Sequence, residues 1–333
     1  MRPHAHPLPA RAAPAAPAGP ASPTRIRAAG ALRLLTWPAL EASGADAAVT
    51  ARDGGVSSGP YATLNLSLSV GDDPVHVLEN RRRLAAALGA NPADFVFARQ
   101  VHGATVRIVG PADRGSGAVT LDDAVPDTDA LVTTSPDVVL AILTADCVPI
   151  VLHDPVAGVL ACVHAGWRGI VARVPAAAVA AMQSLGSRPS DIIAGVGPAA
   201  APARYQVGPD VHHAVTQSFG PPAAAFIRPD PATADPADPA AVRSGLYPVT
   251  GQPRPAPSSP AFLGPDPGDR SGGHWLLDLW AANRYVLQEA GVPDTQIHVT
   301  GTPTGPAGHD TFFSDRAARP CGRLALVARL GTT

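Results

Sequence analysis

The sequence predicts an α+β fold, with mixed β-sheets in a sandwich flanked by helices and forming a single domain. Three observations predict it. Short runs rich in Val, Ile and Leu crowd residues 95–169, with turn residues between them. Amphipathic helical stripes lie before and after that block. The two kinds of segment do not alternate regularly, which argues for mixed sheets over a doubly wound parallel one. At 333 residues, without an internal repeat, the chain has length for one large domain or two small ones.

The elements follow in order. Residues 1–30 are Pro/Ala-rich without a sustained apolar period and are expected to form a disordered tail. One folded domain is expected over 31–333. Ala48-Val49-Thr50-Ala51 predicts a strand ending in the Arg52-Asp53-Gly54-Gly55 turn. Asp72-Asp73-Pro74 introduces a helix carrying Val77, Leu78, Arg81, Leu84, Ala85 and Leu88 on one stripe, with Gly89 as its stop. Strands are predicted at Ala104–Val109, Ala130–Thr134, Val138–Leu143, Val148–His153, Gly158–His164 and Ile192–Val196. Helices are predicted at Ile170–Leu185, Val207–Phe219 and Trp275–Ala290. Ile297–Val299 and Leu324–Leu330 close the chain as strands. Residues 228–273, rich in Pro, Asp, Ser and Gly, are expected to be a flexible insertion. A loop of that length is tolerable, because each doubling costs only about 0.6 kcal/mol of closure entropy.

Composition excludes several function classes. The net charge is -2 and every Lys/Arg position is arginine, which argues against general nucleic-acid binding. One or two arginines remain enough for a small anion. No stretch reaches the roughly 20 apolar residues of a membrane span. Three cysteines cannot form a closed disulfide set, and prolines interrupt any signal-peptide core near the N-terminus. A cytoplasmic setting is the expectation.

Chemistry concentrates at three strand edges. His102 follows Phe95–Val101, Cys147 follows Leu140–Asp146, and His164 ends Val159–Val163. Two imidazoles and a thiolate suit zinc and leave a coordination position open, as catalytic zinc sites do. The spacing is not a local zinc signature, since 45 positions separate His102 from Cys147 and 17 separate Cys147 from His164. Each residue taken alone is equally a packed core or turn residue. Strand alternation puts Cys162 on the face of His164, making it a candidate fourth ligand or near neighbour. Asp146, beside Cys147 after an apolar run, needs a partner if buried; it is a candidate proton carrier or orienter of a ligating histidine. Gly166-Trp167-Arg168-Gly169 joins the His164 strand to a helix, and Arg168 there is a candidate phosphate binder. Arg52 could hold an anion. Asn65 could bond a polar ligand or simply organise a turn. The Gly-Gly at 54–55 lacks the context of a dinucleotide site.

Taken together, these segments resemble the YfiH family, formerly called multicopper polyphenol oxidases or laccases, which includes purine nucleoside phosphorylases and a peptidoglycan editing factor. The matching segments are Gly55–Leu66, Asn80–Leu84, Gln100–Gly103, Asp127–Leu131, Thr144–Pro149, His164–Gly169, Gly195–Pro198 and Thr311–Ser314. The resemblance implies that His102, Cys147 and His164 are metal ligands, usually to zinc, with copper as the competitor. It implies phosphorolysis of purine nucleosides (adenosine, inosine, methylthioadenosine), with phosphate as co-substrate and adenosine deaminase as a side activity. Arg52, Asp146 and Cys147 are then the expected catalytic residues, and Asn65 and Arg168 the substrate-binding ones. Two departures stand out: residues 195–199 lack the cysteine often found near the Gly-Pro, and Ser314-Asp315-Arg316 is less basic than usual. The alternatives are a cysteine hydrolase editing peptidoglycan precursors, with Cys147 as nucleophile and His164 as base, and a single-copper oxidase. A multicopper centre needs several His-x-His pairs, and the only one here is His4-Ala5-His6.

Overall fold

In the computed structural model, which describes residues 23–233, 274–305 and 310–331, strand alternation sorts the apolar residues into three cores. Those cores define four layers. The first sheet has the order β1 (Arg25–Ala29), β2 (Leu32–Thr36), β3 (Ala45–Thr50), β15 (Leu324–Leu330), β7 (Val139–Thr144) and β4 (Phe95–Phe97). The second has the order β14 (Ile297–Val299), β10 (Ile193–Val196), β8 (Val148–Asp154), β9 (Val159–Ala165), β6 (Ala130–Thr133) and β5 (Val106–Ile108). A small third sheet pairs β11 (Gln206–Val207), β13 (Trp275–Leu277) and β12 (Ile227–Pro229). Both large sheets are mixed: β4–β7, β5–β6 and β10–β14 are parallel and the remaining pairs antiparallel.

The period-2 alternation of side chains builds the layers. On β15, Leu324, Leu326 and Ala328 enter the core between the sheets, with Leu140 and Ile142 of β7 and Leu160 and Cys162 of β9. The opposite face of the first sheet, including Ala325 and Val327, packs on Leu84 and Ala85 of α2 (Pro74–Ala87). The opposite face of the second sheet, including Val159, Ala161 and Val163, packs on α4 (Val174–Ser184) and α6 (Leu279–Glu289). Each aliphatic side chain so buried contributes about 1.5–3 kcal/mol. The predicted sandwich flanked by helices is therefore the observed architecture.

Local signals set several boundaries. Asp73 caps α2 by accepting from the Val75 N–H at 2.8 Å, and Gly89 follows the helix at φ 61°. Other boundaries depart from expectation. Residues 25–29, expected in the disordered tail, form β1, because antiparallel pairing with β2 satisfies their backbone groups. Most of the expected tail, residues 1–22, lies outside the described residues, as do residues 234–273 of the expected insertion. Arg228 and Pro229, placed in that insertion, belong instead to β12. The expected helix from Ile170 is two helices, α3 (Trp167–Val171) and α4, broken where Arg173 turns left-handed at φ 62°. Trp275–Leu277, expected as helix, is β13, since β11 and β12 flank it on both sides. No helix among the described residues is long and apolar enough to cross a membrane.

Candidate metal centre

Two connections between the two large sheets, at the same end of the sandwich, carry ligand residues. The loop from β4 to β5 carries His102, and the three-residue connection from β7 to β8 carries Cys147. His164 lies near the end of β9, opposite Pro149 in the β8–β9 register. Residues 45 and 17 positions apart thus converge: the ligand atoms of His102, Cys147 and His164 all lie within 4.8 Å of one another. Among the described residues no other group of three His, Cys, Asp or Glu comes together in this way. The two imidazole rings meet edge to face at 4.8 Å between centroids.

Several neighbours hold this arrangement. The Gln100 side chain bridges the backbone of Leu143, donating to its carbonyl at 2.7 Å and accepting from its N–H at 2.8 Å, which ties the His102 loop to β7. His102 itself sits at φ 61°, a left-handed conformation uncommon for non-glycine residues. Asp129 compensates. Its Oδ1 accepts the His102 N–H at 2.9 Å, and its Oδ2 accepts those of Gly103 at 2.7 Å and Val101 at 3.2 Å. Asp129 Oδ1 also accepts from His164 Nδ1 at 2.8 Å. A carboxylate only accepts, so Nδ1 carries the proton and Nε2 is left as the ligand atom. Gly166, across the register from Cys147, completes the cradle. A Cβ there would lie 2.7 Å from Cys147 Sγ and 3.2 Å from a His102 ring carbon, so any side chain would intrude on the ligand atoms.

Electrostatics favour a charged thiolate. Burial alone would raise the Cys147 thiol, but the adjacent His164 and His102 outweigh it and bring it down to about 6. Burial likewise lowers the His164 imidazolium, and the Cys147 thiolate and Asp129 carboxylate reverse this, raising it to about 9. Burial would raise the Asp129 carboxyl, whereas His164 and the backbone N–H groups hold it below the usual carboxylate range. The donor set, two imidazoles and a thiolate with one imidazole oriented by a carboxylate, is one that binds a metal ion.

The structure redistributes the other expected site residues. Cys162 shares the face of His164 but lies in the apolar core between the sheets, where burial pushes its thiol above the ordinary range; it is outside the ligand group. Asp146 is the expected orienter of a ligating histidine; at His164 that role falls to Asp129. The Asp146 carboxylate instead accepts from the Thr304 hydroxyl at 2.5 Å and the Arg316 N–H at 2.6 Å. Asn65, expected to bind substrate, is fully buried. Its amide donates to Ser67 O and Asp72 Oδ2 and accepts from the N–H groups of Ser67 and Arg323, which spends all four of its bonds internally. Arg52 directs Nε and Nη2 at the Ala62 carbonyl, at 3.0 and 2.8 Å, and stacks on Phe313, so it is engaged as a strut. Arg168 stacks on Trp167 with its guanidinium 4.3 Å from the ring centroid. Its helix α3 has five residues, too few to act as an anion-binding helix end.

Four contributors escaped the sequence reading: Asp129, Tyr205, Thr304 and Arg316. Asp129 had a usable signal, a carboxylate directly before the apolar run 130–133, which is the pattern that drew attention to Asp146. Tyr205 had none. Burial raises its phenol, the Cys147 thiolate and Asp146 add to the rise, and Arg316 and Arg168 oppose it; the Arg316 guanidinium lies 5.0 Å from the Tyr205 ring centroid.

Comparison with known proteins matches this architecture. A family model described as multi-copper polyphenol oxidoreductase laccase covers residues 46–240 and 257–331. The chain belongs to that family. The unmatched stretch inside the match, 241–256, falls within the expected insertion. The purine nucleoside phosphorylase YlmD of Geobacillus stearothermophilus is 37% identical over 86% of this chain and 91% of its own length. A purine nucleoside phosphorylase of Deinococcus radiodurans is 49% identical over 49% of this chain and 60% of its own. Among solved structures, Bacillus licheniformis YfiH aligns with a TM-score of 0.75 and 29% identity, covering 92% of this chain and 99% of that one. The crystal structure of the Geobacillus YlmD aligns with a TM-score of 0.73 and 33% identity, covering 93% and 100%.

Proposed function

We propose that this protein is a cytoplasmic purine nucleoside phosphorylase that holds zinc on His102, Cys147 and His164. The observation that carries the proposal is the convergence of those three side chains, with the backbone of Arg316 bonded to Asp146 beside Cys147. It is supported by a relative, matched over nearly its whole length, that is named a purine nucleoside phosphorylase. Thiolate and imidazole donors suit zinc, and copper competes for the same set. A bound ion supplies Lewis acidity, polarising a substrate atom or lowering the pKa of a water toward about 7. In phosphorolysis, a phosphate oxygen bonds to ribose C1′ as the bond from C1′ to the purine nitrogen breaks. The electron pair leaves with the base, which takes up a proton. The chain's own contribution is orientation: Asp129 fixes His164, and arginine holds phosphate. Pre-alignment of two reactants is worth up to about 7–11 kcal/mol. Adenosine, inosine and methylthioadenosine are the proposed substrates, and adenosine deamination a secondary activity.

Metal-analysed protein incubated with adenosine, with and without phosphate, tests this. Adenine and ribose 1-phosphate are expected only with phosphate, and His102→Ala is expected to abolish both. Base release that persists unchanged in His102→Ala removes the site from the reaction.

One observation favours a second reading. Asp129, His164 and Cys147 stand in the order orienting acid, base and nucleophile, with the thiol already lowered to about 6. This suits a cysteine hydrolase acting on peptidoglycan precursors. Protein that retains no metal, is alkylated at Cys147 and cleaves an amide would replace the phosphorylase assignment with this one.

A further inference from the structure

Within the phosphorylase reading, on which this rests, we infer that Arg316 is the phosphate-binding residue and that Asp146 is a positioning residue that sets it in place. Asp146 is 6% exposed, and both carboxylate oxygens are engaged, one by Thr304 and one by the backbone N–H of Arg316. Its own carbonyl accepts from the Ala200 N–H at 3.0 Å. A proton carrier needs an oxygen facing the reacting atoms. Here the carboxylate instead ties together segments 158 and 170 positions away.

The loop that Asp146 anchors contains three arginines with unequal fates. Arg319 and Arg323 both pair with Asp315. Among the described residues Arg316 pairs with no carboxylate; its guanidinium lies 5.0 Å from the centroid of the Tyr205 ring and is exposed. Arg168, stacked on its own aromatic, lies two residues beyond Gly166, which abuts the Cys147 sulfur, and likewise forms no ion pair among the described residues. Both guanidiniums are thus carried on segments that meet the Cys147 loop, and neither has a carboxylate partner among the described residues. Planar forks of this kind match a phosphate dianion by paired hydrogen bonds. Arg52, with two N–H groups committed to Ala62, has fewer donors to offer. The left-handed φ of 88° at Asp146 gives a further handle. Glycine and asparagine tolerate that conformation, so either can replace Asp146 without backbone strain.

The test is calorimetric titration of inorganic phosphate into the zinc-loaded full-length protein, with nucleoside absent, followed by steady-state kinetics. Arg316→Gln is expected to weaken phosphate binding at least tenfold with zinc content unchanged. Asp146→Gly is expected to weaken it similarly by releasing the loop. Asp146→Asn keeps one oxygen for the Arg316 N–H, and its amide can donate to the Thr304 hydroxyl, so phosphate affinity and kcat are expected within about threefold of wild type. Arg107→Gln, an exposed arginine on β5, is the control. Unchanged phosphate affinity in Arg316→Gln overturns the assignment even if Asp146→Gly fails to fold. Intact phosphate binding with a lost kcat in Asp146→Asn makes Asp146 a proton carrier and overturns the positioning role. Phosphate held through Arg316 by a protein that releases no purine overturns the phosphorylase reading and leaves the anion site standing.

Discussion

Cys162, on β9, and Cys147, in the β7–β8 connection, belong to one sandwich and behave as different chemical groups. Cys162 lies mid-strand on β9, sealed between the sheets, and burial holds it as a neutral thiol. Cys147 lies where the chain leaves one sheet for the other, and two imidazoles hold it as a thiolate. His164 is two residues beyond Cys162 on the same face, so a single strand runs from inert core to reactive rim. Position in the fold, not residue type, decides which thiol can bind metal.

The sharpest way to break this comparison is to exchange the thiols' fates. Cys147→Ser is expected to lose stoichiometric metal by elemental analysis. Phosphate-dependent base release should fall by more than about 100-fold, beyond what losing a supporting residue costs. Gly166→Ala should have a similar effect from the opposite side, because its Cβ would stand 2.7 Å from the sulfur, while circular dichroism stays native. Retained metal in Gly166→Ala would show that the cradle is looser than drawn.

A smaller effect is expected at Asp129. An asparagine offers one oxygen where four N–H donors now share two. Metal affinity, measured by competition with a chelator, should fall about 10–100-fold.

The next step concerns pH. In metal-free protein the Cys147 thiol is lowered to about 6 and the His164 imidazolium raised to about 9. The ion pair therefore exists between those values. It is lost below as the thiolate protonates, and above as the imidazolium deprotonates. Iodoacetamide labelling of Cys147 should rise through about pH 6 and plateau well below the range of an ordinary thiol, with Cys162 unlabelled throughout. A midpoint near the free-thiol value would remove the histidine influence. The smallest effect belongs to Cys162→Ala, expected to cost about 1 kcal/mol in denaturant unfolding and to leave metal content unchanged.

Legibility followed the range of the interactions. The helix α2 was readable because its cap, its proline and its terminal glycine are local. Strands β14 and β15 were readable because their apolar runs are bounded by breakers. Trp275–Leu277 was misread because the same apolar spacing fits a helix, and only the flanking β11 and β12 make it a strand. The strand β1 was missed because its partner, not its composition, orders it. At the site, the three ligands emerged from their motif company. Arg316 and Thr304 did not, because what marks them is a bond to Asp146 from 170 and 158 positions away.

Sequence alone determined the inventory: the α+β class, the strand edges near which His102, Cys147 and His164 lie, and a histidine content unsuited to four coppers. Those properties are written in local periodicity and residue type. Only the tertiary structure decided which carboxylate serves which partner. Asp129 and Asp146 look alike in sequence, each beside an apolar strand. A hydrogen bond reaches about 3 Å, so their roles depend on what folding places within that distance. For Asp129 it is an imidazole and a loop of N–H groups; for Asp146 it is a threonine and an arginine backbone.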